Sequence, residues 1–123
     1  AHAFVSVGFL LAGAAALAPQ VTMTGAAAHA WGAGAAGLMT LAVMTRATLG
    51  HTGRPLVASQ GTAVVYGLAI VAAVARIAAA FPSSFDTTLL QVAGIAWIAA
   101  FTGFVAIYGP MLVRSGLNAG SNG

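Results

Sequence analysis

The chain has 123 residues, of which 60% are hydrophobic and only 4% are charged, with a formal net charge of +3 and no cysteine. A soluble domain carries roughly 25% charged residues. This composition therefore excludes a soluble globular domain and indicates a chain embedded in the lipid bilayer. The positive charge comes from four separate arginines and forms no basic patch, so nothing indicates nucleic-acid binding. The only acidic residue is Asp86, which excludes hydrolysis by a carboxylate pair, and the lack of cysteine excludes disulfides and thiolate metal sites.

Four apolar runs follow one another along the chain, and each approaches the roughly 20 residues that a helix needs to cross a bilayer. We therefore predict an all-α fold, an integral membrane bundle of four transmembrane helices over residues 1–114, with a flexible tail at 115–123. The predicted helices cover residues 1–18, 25–47, 60–81 and 87–113. The first run is short and has no basic segment before it, so we expect an incomplete helix rather than a signal peptide.

Short connections make consecutive helices antiparallel, so the helix ends divide between two sides of the membrane. Side A is the side of residue 1 and also holds the connection after the second helix and the C-terminus, while side B holds the other two connections. Arg46, Arg54 and Arg114 lie towards side A, whereas Arg76 lies towards side B. The positive-inside rule therefore predicts that side A, with the C-terminus, faces the cytoplasm.

One face of the second predicted helix consists mainly of small residues at steps of three and four. These residues are Gly25, His29, Gly32, Ala36 and Thr40. Small side chains let membrane helices approach one another closely, so we predict that this face packs against another helix.

Histidines are the first candidates for chemistry, because imidazole suits haem iron and copper. His29 and His51 are 22 residues apart, which is roughly 33 Å along a helix, so they cannot bind the same metal ion. His2 lies at the side A end of the first helix, and His51 also lies towards side A. His2 and His51 are therefore the one pair of histidines within the chain that we expect at a similar depth in the membrane. The alternative for each histidine is a hydrogen-bonded packing role, which is commoner for an isolated histidine in a helix bundle.

Arginines in apolar helices are costly and are therefore also candidates. Arg46 and Arg54 can extend to lipid headgroups or pair with an anionic cofactor group. Arg76 lies one turn inside the third predicted helix, where it can also extend to headgroups, pair with Asp86, or pair with an anionic cofactor group.

A long segment of the second helix and its exit resembles the signature of the NnrS family. The resemblance covers residues 29–56 and is strongest at 39–56, MTLAVMTRATLGHTGRPL. His2 followed by GFL at 8–10, Arg76 late in the third helix, and YGPML at 108–112 also resemble that family. Typical members are about three times longer with around twelve spans, so the resemblance implies that this sequence corresponds to their C-terminal part or to a shortened relative.

The resemblance implies a bacterial inner-membrane protein that contains haem b and copper and acts in denitrification or in tolerance of nitric oxide. It implies a cofactor site built partly from His2, His29 and His51, with Arg46, Arg54 and Arg76 as charge partners. The reaction and whether the chain is an enzyme are left open. The alternative is a structural or accessory subunit without a cofactor, packed against other membrane subunits or against the absent N-terminal spans. A small transporter or channel is disfavoured, because four spans without an internal repeat are few for such a protein.

Overall fold

The computed structural model of the protein describes residues 1–18, 24–53, 55, 57, 59–81 and 84–120, with the backbone alone at 24 and 114–120. Every regular element in these residues is helical, which confirms the predicted all-α fold. Helix α1 is His2–Leu17. Helix α2 runs without a break through three segments, Thr24–His29, Ala30–Ala36 and Gly37–His51. Helix α3 is Gln60–Ala78, and helix α4 is Asp86–Gly120.

Three helical stretches in the described part of the chain are long and apolar enough to cross a membrane. They are Gly25–His51, Gln60–Ala78 and Asp86–Val113. Helix α1 has 16 residues, or about 24 Å, which is shorter than a hydrocarbon core of about 30 Å. The multi-pass membrane bundle is thus supported by three helices, and the crossing by α1 stays a prediction.

Two helices continue beyond their predicted ends. Helix α2 runs through Gly50 to His51, and the chain turns at Gly53, whose φ of 65° is the left-handed conformation that favours glycine. Gly50 is therefore an interior residue of the helix, and His51 lies in the last turn rather than in the connection. Helix α4 continues to Gly120, so the predicted boundary at residue 114 does not coincide with a helix end. Helix α3 instead ends at Ala78, three residues before the predicted end.

The core lies between α2, α3 and α4. Helix α3 packs along α4, and α2 lies mainly against α3 and reaches α4 through its C-terminal segment. Among the described residues, α1 contacts only the first two segments of α2. The core residues are Leu38, Leu41, Leu49, Val65, Ala69, Ala100, Phe104 and Tyr108.

Helix α1 packs on α2 through glycines that accommodate aromatic rings. A Cβ atom at Gly8 would overlap the indole of Trp31, and one at Gly34 would overlap the ring of Phe4. Trp31 Nε1 also donates to the carbonyl of Val5 at 3.3 Å. These contacts fix an antiparallel register in which Phe4 lies opposite Gly34.

The middle segment of α2, Ala30–Ala36, is a π-helix, in which each turn is wider than in an α-helix. The backbone N–H of Gly37 donates to the carbonyl of Gly32, five residues earlier. Residues at steps of four, Ala26, Ala30, Gly34 and Leu38, consequently share the buried face.

The small-residue face predicted from the sequence points away from the other helices of this chain. Gly25, Gly32, Ala36 and Thr40 are exposed, and of the five predicted residues only His29 is partly buried. The prediction that this face packs on a helix is therefore wrong for contacts within the described chain. The helix has small residues on two faces, and the wide turns bring the other face into the bundle.

Candidate functional site

A cleft of about 380 Å³ opens between α2, α3 and α4, at the end of the bundle on side B. Small residues provide the space, and Leu90 and Trp97 provide its bulky walls. The lining residues are His29, Ala33, Ala72, Arg76, Leu90, Ala93, Gly94 and Trp97. The volume is within the range of roughly 300–1,000 Å³ that small-molecule sites occupy in proteins.

His29 and Arg76 are the ionisable residues of this cleft. His29 is the last residue before the π-helical segment of α2, and Arg76 lies in the last turn of α3. Both are partly buried. Within the described part of the chain, neither side chain forms a hydrogen bond or an ion pair with a protein group. The cleft thus combines an imidazole and a guanidinium with otherwise apolar walls.

Trp97 is held in place from two sides. Its ring lies 4.9 Å from that of Phe101, centroid to centroid. On the other side, a Cβ atom at Gly37 would come within 2.5 Å of Trp97 Cη2, so only glycine lets the indole lie against α2. Trp97 is therefore a fixed wall of the cleft. The sequence analysis missed it, because an aromatic residue in an apolar helix does not by itself indicate a site.

The other predicted histidines do not line the cleft, and they lie far from each other. Because Phe4 lies opposite Gly34, His2 lies about level with residue 36 of α2, which is roughly 22 Å from His51 along the helix axis. The expected pairing of His2 with His51 at a shared level is therefore wrong. The reason is that α1 packs on the first half of α2 and does not reach its last segment. Both histidines are exposed.

The remaining predicted residues divide between side A and side B. Arg46 is exposed on the last segment of α2, towards side A. Arg54 lies outside the described residues. Asp86 is the first residue of α4, on side B. The structure thus brings together His29 and Arg76 of the predicted set, whereas His2, His51 and Arg46 do not line the cleft.

The described residues include no group of three or more histidine, aspartate, glutamate or cysteine side chains that could hold a metal ion. Since the three histidines also lie at separate levels of the bundle, each would offer a metal a single imidazole. Haem iron can be held by one imidazole, whereas copper sites in proteins use several such ligands.

A second polar cluster, on side A, joins α3 to α4. Thr62 Oγ1 and Tyr108 Oη lie 2.7 Å apart, and Ser59 Oγ lies 3.0 Å from Thr62 Oγ1. Ser59 Oγ also accepts the backbone N–H of Thr62 at 3.2 Å and so caps α3. The sequence signal that could have revealed it is Tyr108 itself, because a buried tyrosine hydroxyl needs a partner.

Comparison with known proteins identifies a family for this chain. The family model described as NnrS protein matches residues 1–115. No curated protein matches the chain. No solved structure matches it either. Since the family model covers nearly the whole sequence, the chain belongs to the NnrS family.

Proposed function

We propose that this NnrS protein is a haem-binding membrane protein of the nitric oxide response or of denitrification, in which His29 would hold the iron of a haem b. The observation that supports this most is the imidazole of His29 in a cleft between three apolar helices. Nitric oxide is small and uncharged and dissolves in lipid, so it can reach such a cleft from the membrane. We further propose a bacterial inner-membrane location with side A in the cytoplasm.

The bound haem would supply an iron atom able to bind nitric oxide, and pocket polarity would then govern whether the gas is held or converted. His29 would hold the iron through one ring nitrogen. Arg76 would pair with a haem carboxylate, while Leu90, Ala93 and Trp97 would keep water from the ring. Copper does not fit the described residues in this way, since their histidines lie at three separate levels. Copper on this chain would need ligands from outside it, with His2 or His51 as one donor.

The test is an optical spectrum with metal analysis of the chain purified in detergent, compared with His29→Ala and His51→Ala. We expect haem absorbance in the natural sequence, its loss in His29→Ala, and its retention in His51→Ala. His51 is the matched control, because it is an exposed histidine at the other end of the same helix. Equal haem content in both variants would contradict the role of His29, and an absence of haem from the natural sequence after reconstitution would contradict the function.

An accessory subunit without a cofactor is the second candidate. It is favoured by the exposed small-residue face of α2, Gly25, Gly32, Ala36 and Thr40, which no helix in the described part of the chain covers. Such a face suits close contact with a helix of another subunit. A chain that is monomeric and stable alone in detergent, and that binds haem, would exclude this candidate.

A further inference from the structure

We propose that the cleft of His29 and Arg76 binds the anionic head of an amphiphile, a carboxylate or a phosphate, with Arg76 as its main partner. The apolar part of the ligand would lie along Leu90, Ala93 and Trp97. Two kinds of molecule have this chemistry: a haem, through its propionate, and a phospholipid, through its phosphate. Only the first of these sources rests on the function proposed above.

The charge balance of the chain leaves its arginines short of acidic partners. Four arginines face a single acidic residue in the whole sequence. A guanidinium at the edge of a hydrocarbon layer is stable only when it is hydrated or paired. Arg76 is partly buried and, among the described residues, makes no hydrogen bond or ion pair with protein. Its charge must therefore be met by water or by an anion from outside these residues.

The position of Arg76 distinguishes it from an arginine that simply reaches the membrane surface. Arg46 is exposed on the outer face of α2, as expected for a side chain that extends to headgroups. Arg76 instead lines a cleft between three helices and shares it with an imidazole that can donate a second hydrogen bond. Two nitrogen donors line the same cleft, so both can meet a lipid phosphate, whereas Arg76 alone would meet a carboxylate of a haem whose iron is held by His29.

The rest of the cleft indicates an amphiphile rather than a free inorganic anion. Its other walls are alanine, glycine, leucine and tryptophan, which offer an inorganic ion no hydrogen bonds. Leu90 and Gly94 are exposed, so the cleft opens to the outside of the bundle. A ligand can therefore enter from the lipid with its apolar part among these walls and its charged head at Arg76, near side B.

The first experiment measures lipid binding to the detergent-purified chain by native mass spectrometry. Phosphatidylglycerol is the anionic probe, and phosphatidylcholine is the zwitterionic control. We expect Arg76→Gln to weaken phosphatidylglycerol binding by about 10- to 100-fold, the loss typical of a hydrogen bond to a charged group. Arg46→Gln removes the same charge at an exposed position and should bind like the natural sequence.

The second experiment titrates haem and haem dimethyl ester, in which both carboxylates are esterified. If the anionic head is a haem propionate, Arg76→Gln weakens haem binding by about 10- to 100-fold and leaves binding of the ester unchanged. If the head is a lipid phosphate, only the lipid titration depends on Arg76. Absence of haem binding in every form would overturn the proposed function, while the lipid titration would still test the anion site.

A third variant tests the cleft without altering Arg76. A side chain at Gly94 would project into open space within the cleft, so Gly94→Leu should fill it and weaken binding of the same ligand. Gly67→Leu is the control, because Gly67 is exposed, meets no atom within 4 Å and lies outside the cleft. The proposal is overturned if no probe depends on Arg76, or if Arg46→Gln weakens binding as much as Arg76→Gln.

Discussion

Tyr108 is 2% exposed on the apolar helix α4, and its hydroxyl lies 2.7 Å from Thr62 Oγ1 of α3. Burial of an unpaired hydroxyl is costly, so this contact matters more in the bundle than it would in water. The phenol also packs against Phe104, with ring centroids 4.8 Å apart. A single side chain thus contributes both a polar and an apolar contact to the α3–α4 interface.

Tyr108→Phe should lower the free energy of unfolding by about 0.5–1.5 kcal/mol, because it removes one hydrogen bond and keeps the ring. Thermal unfolding in detergent, followed by circular dichroism, measures the change. Tyr66→Phe is the matched control, since its hydroxyl has no hydrogen bond within the described part of the chain. Equal shifts in the two variants would show that the Thr62 contact does not stabilise the protein.

At the scale of the elements, α1 packs on α2 and on no other helix in the described part of the chain. Its register is set by Gly8 beneath Trp31 and by Gly34 beneath Phe4. Composition and hydrophobic length predicted the helices, but not this register, because glycines and alanines occur on several faces of both helices. The level of His2 was predicted wrongly for the same reason. The sequence did not predict that His29 and Arg76 share a cleft either, because that depends on how α2 and α3 are rotated about their axes.

Gly8→Leu should displace α1 from α2 and cost about 1–3 kcal/mol, as overpacking of a close contact does. The fluorescence of Trp31, in a Trp97→Phe background that leaves it as the one tryptophan, should report the change of surroundings. Gly13→Leu adds the same side chain to α1 where no atom lies within 4 Å, so its spectrum should not change. Similar spectra for the two variants would contradict the packing of Trp31 on Gly8.

For the molecule as a whole, the bundle has two different ends. The hydroxyl cluster of Ser59, Thr62 and Tyr108 lies towards side A, and the cleft of His29 and Arg76 lies towards side B. The arginine distribution predicts that side A faces the cytoplasm, and this orientation stays a prediction. With side A in the cytoplasm, the cleft would lie near the opposite surface of the membrane.

The lack of cysteine allows this orientation to be tested with single-cysteine variants. Ser84→Cys on side B should react with a membrane-impermeant maleimide in spheroplasts, whereas Ser115→Cys on side A should react only after permeabilisation. Labelling by mass shift on a gel distinguishes the two. The reverse pattern would place the cleft at the cytoplasmic surface and would contradict the positive-inside prediction.

The π-helical segment of α2 also determines the direction in which the imidazole points. His29 precedes Ala30–Ala36, whereas Leu38 and Leu41, which anchor α2 in the core, follow it. Each residue of an α-helix advances the side-chain direction by about 100°. The wider π-helical turns advance it by less, so an α-helix of the same residues would turn the imidazole away from Arg76 and would turn Ala26 and Ala30 out of the buried face as well. The wide turns of this segment are thus what aligns His29 with Arg76 across the cleft.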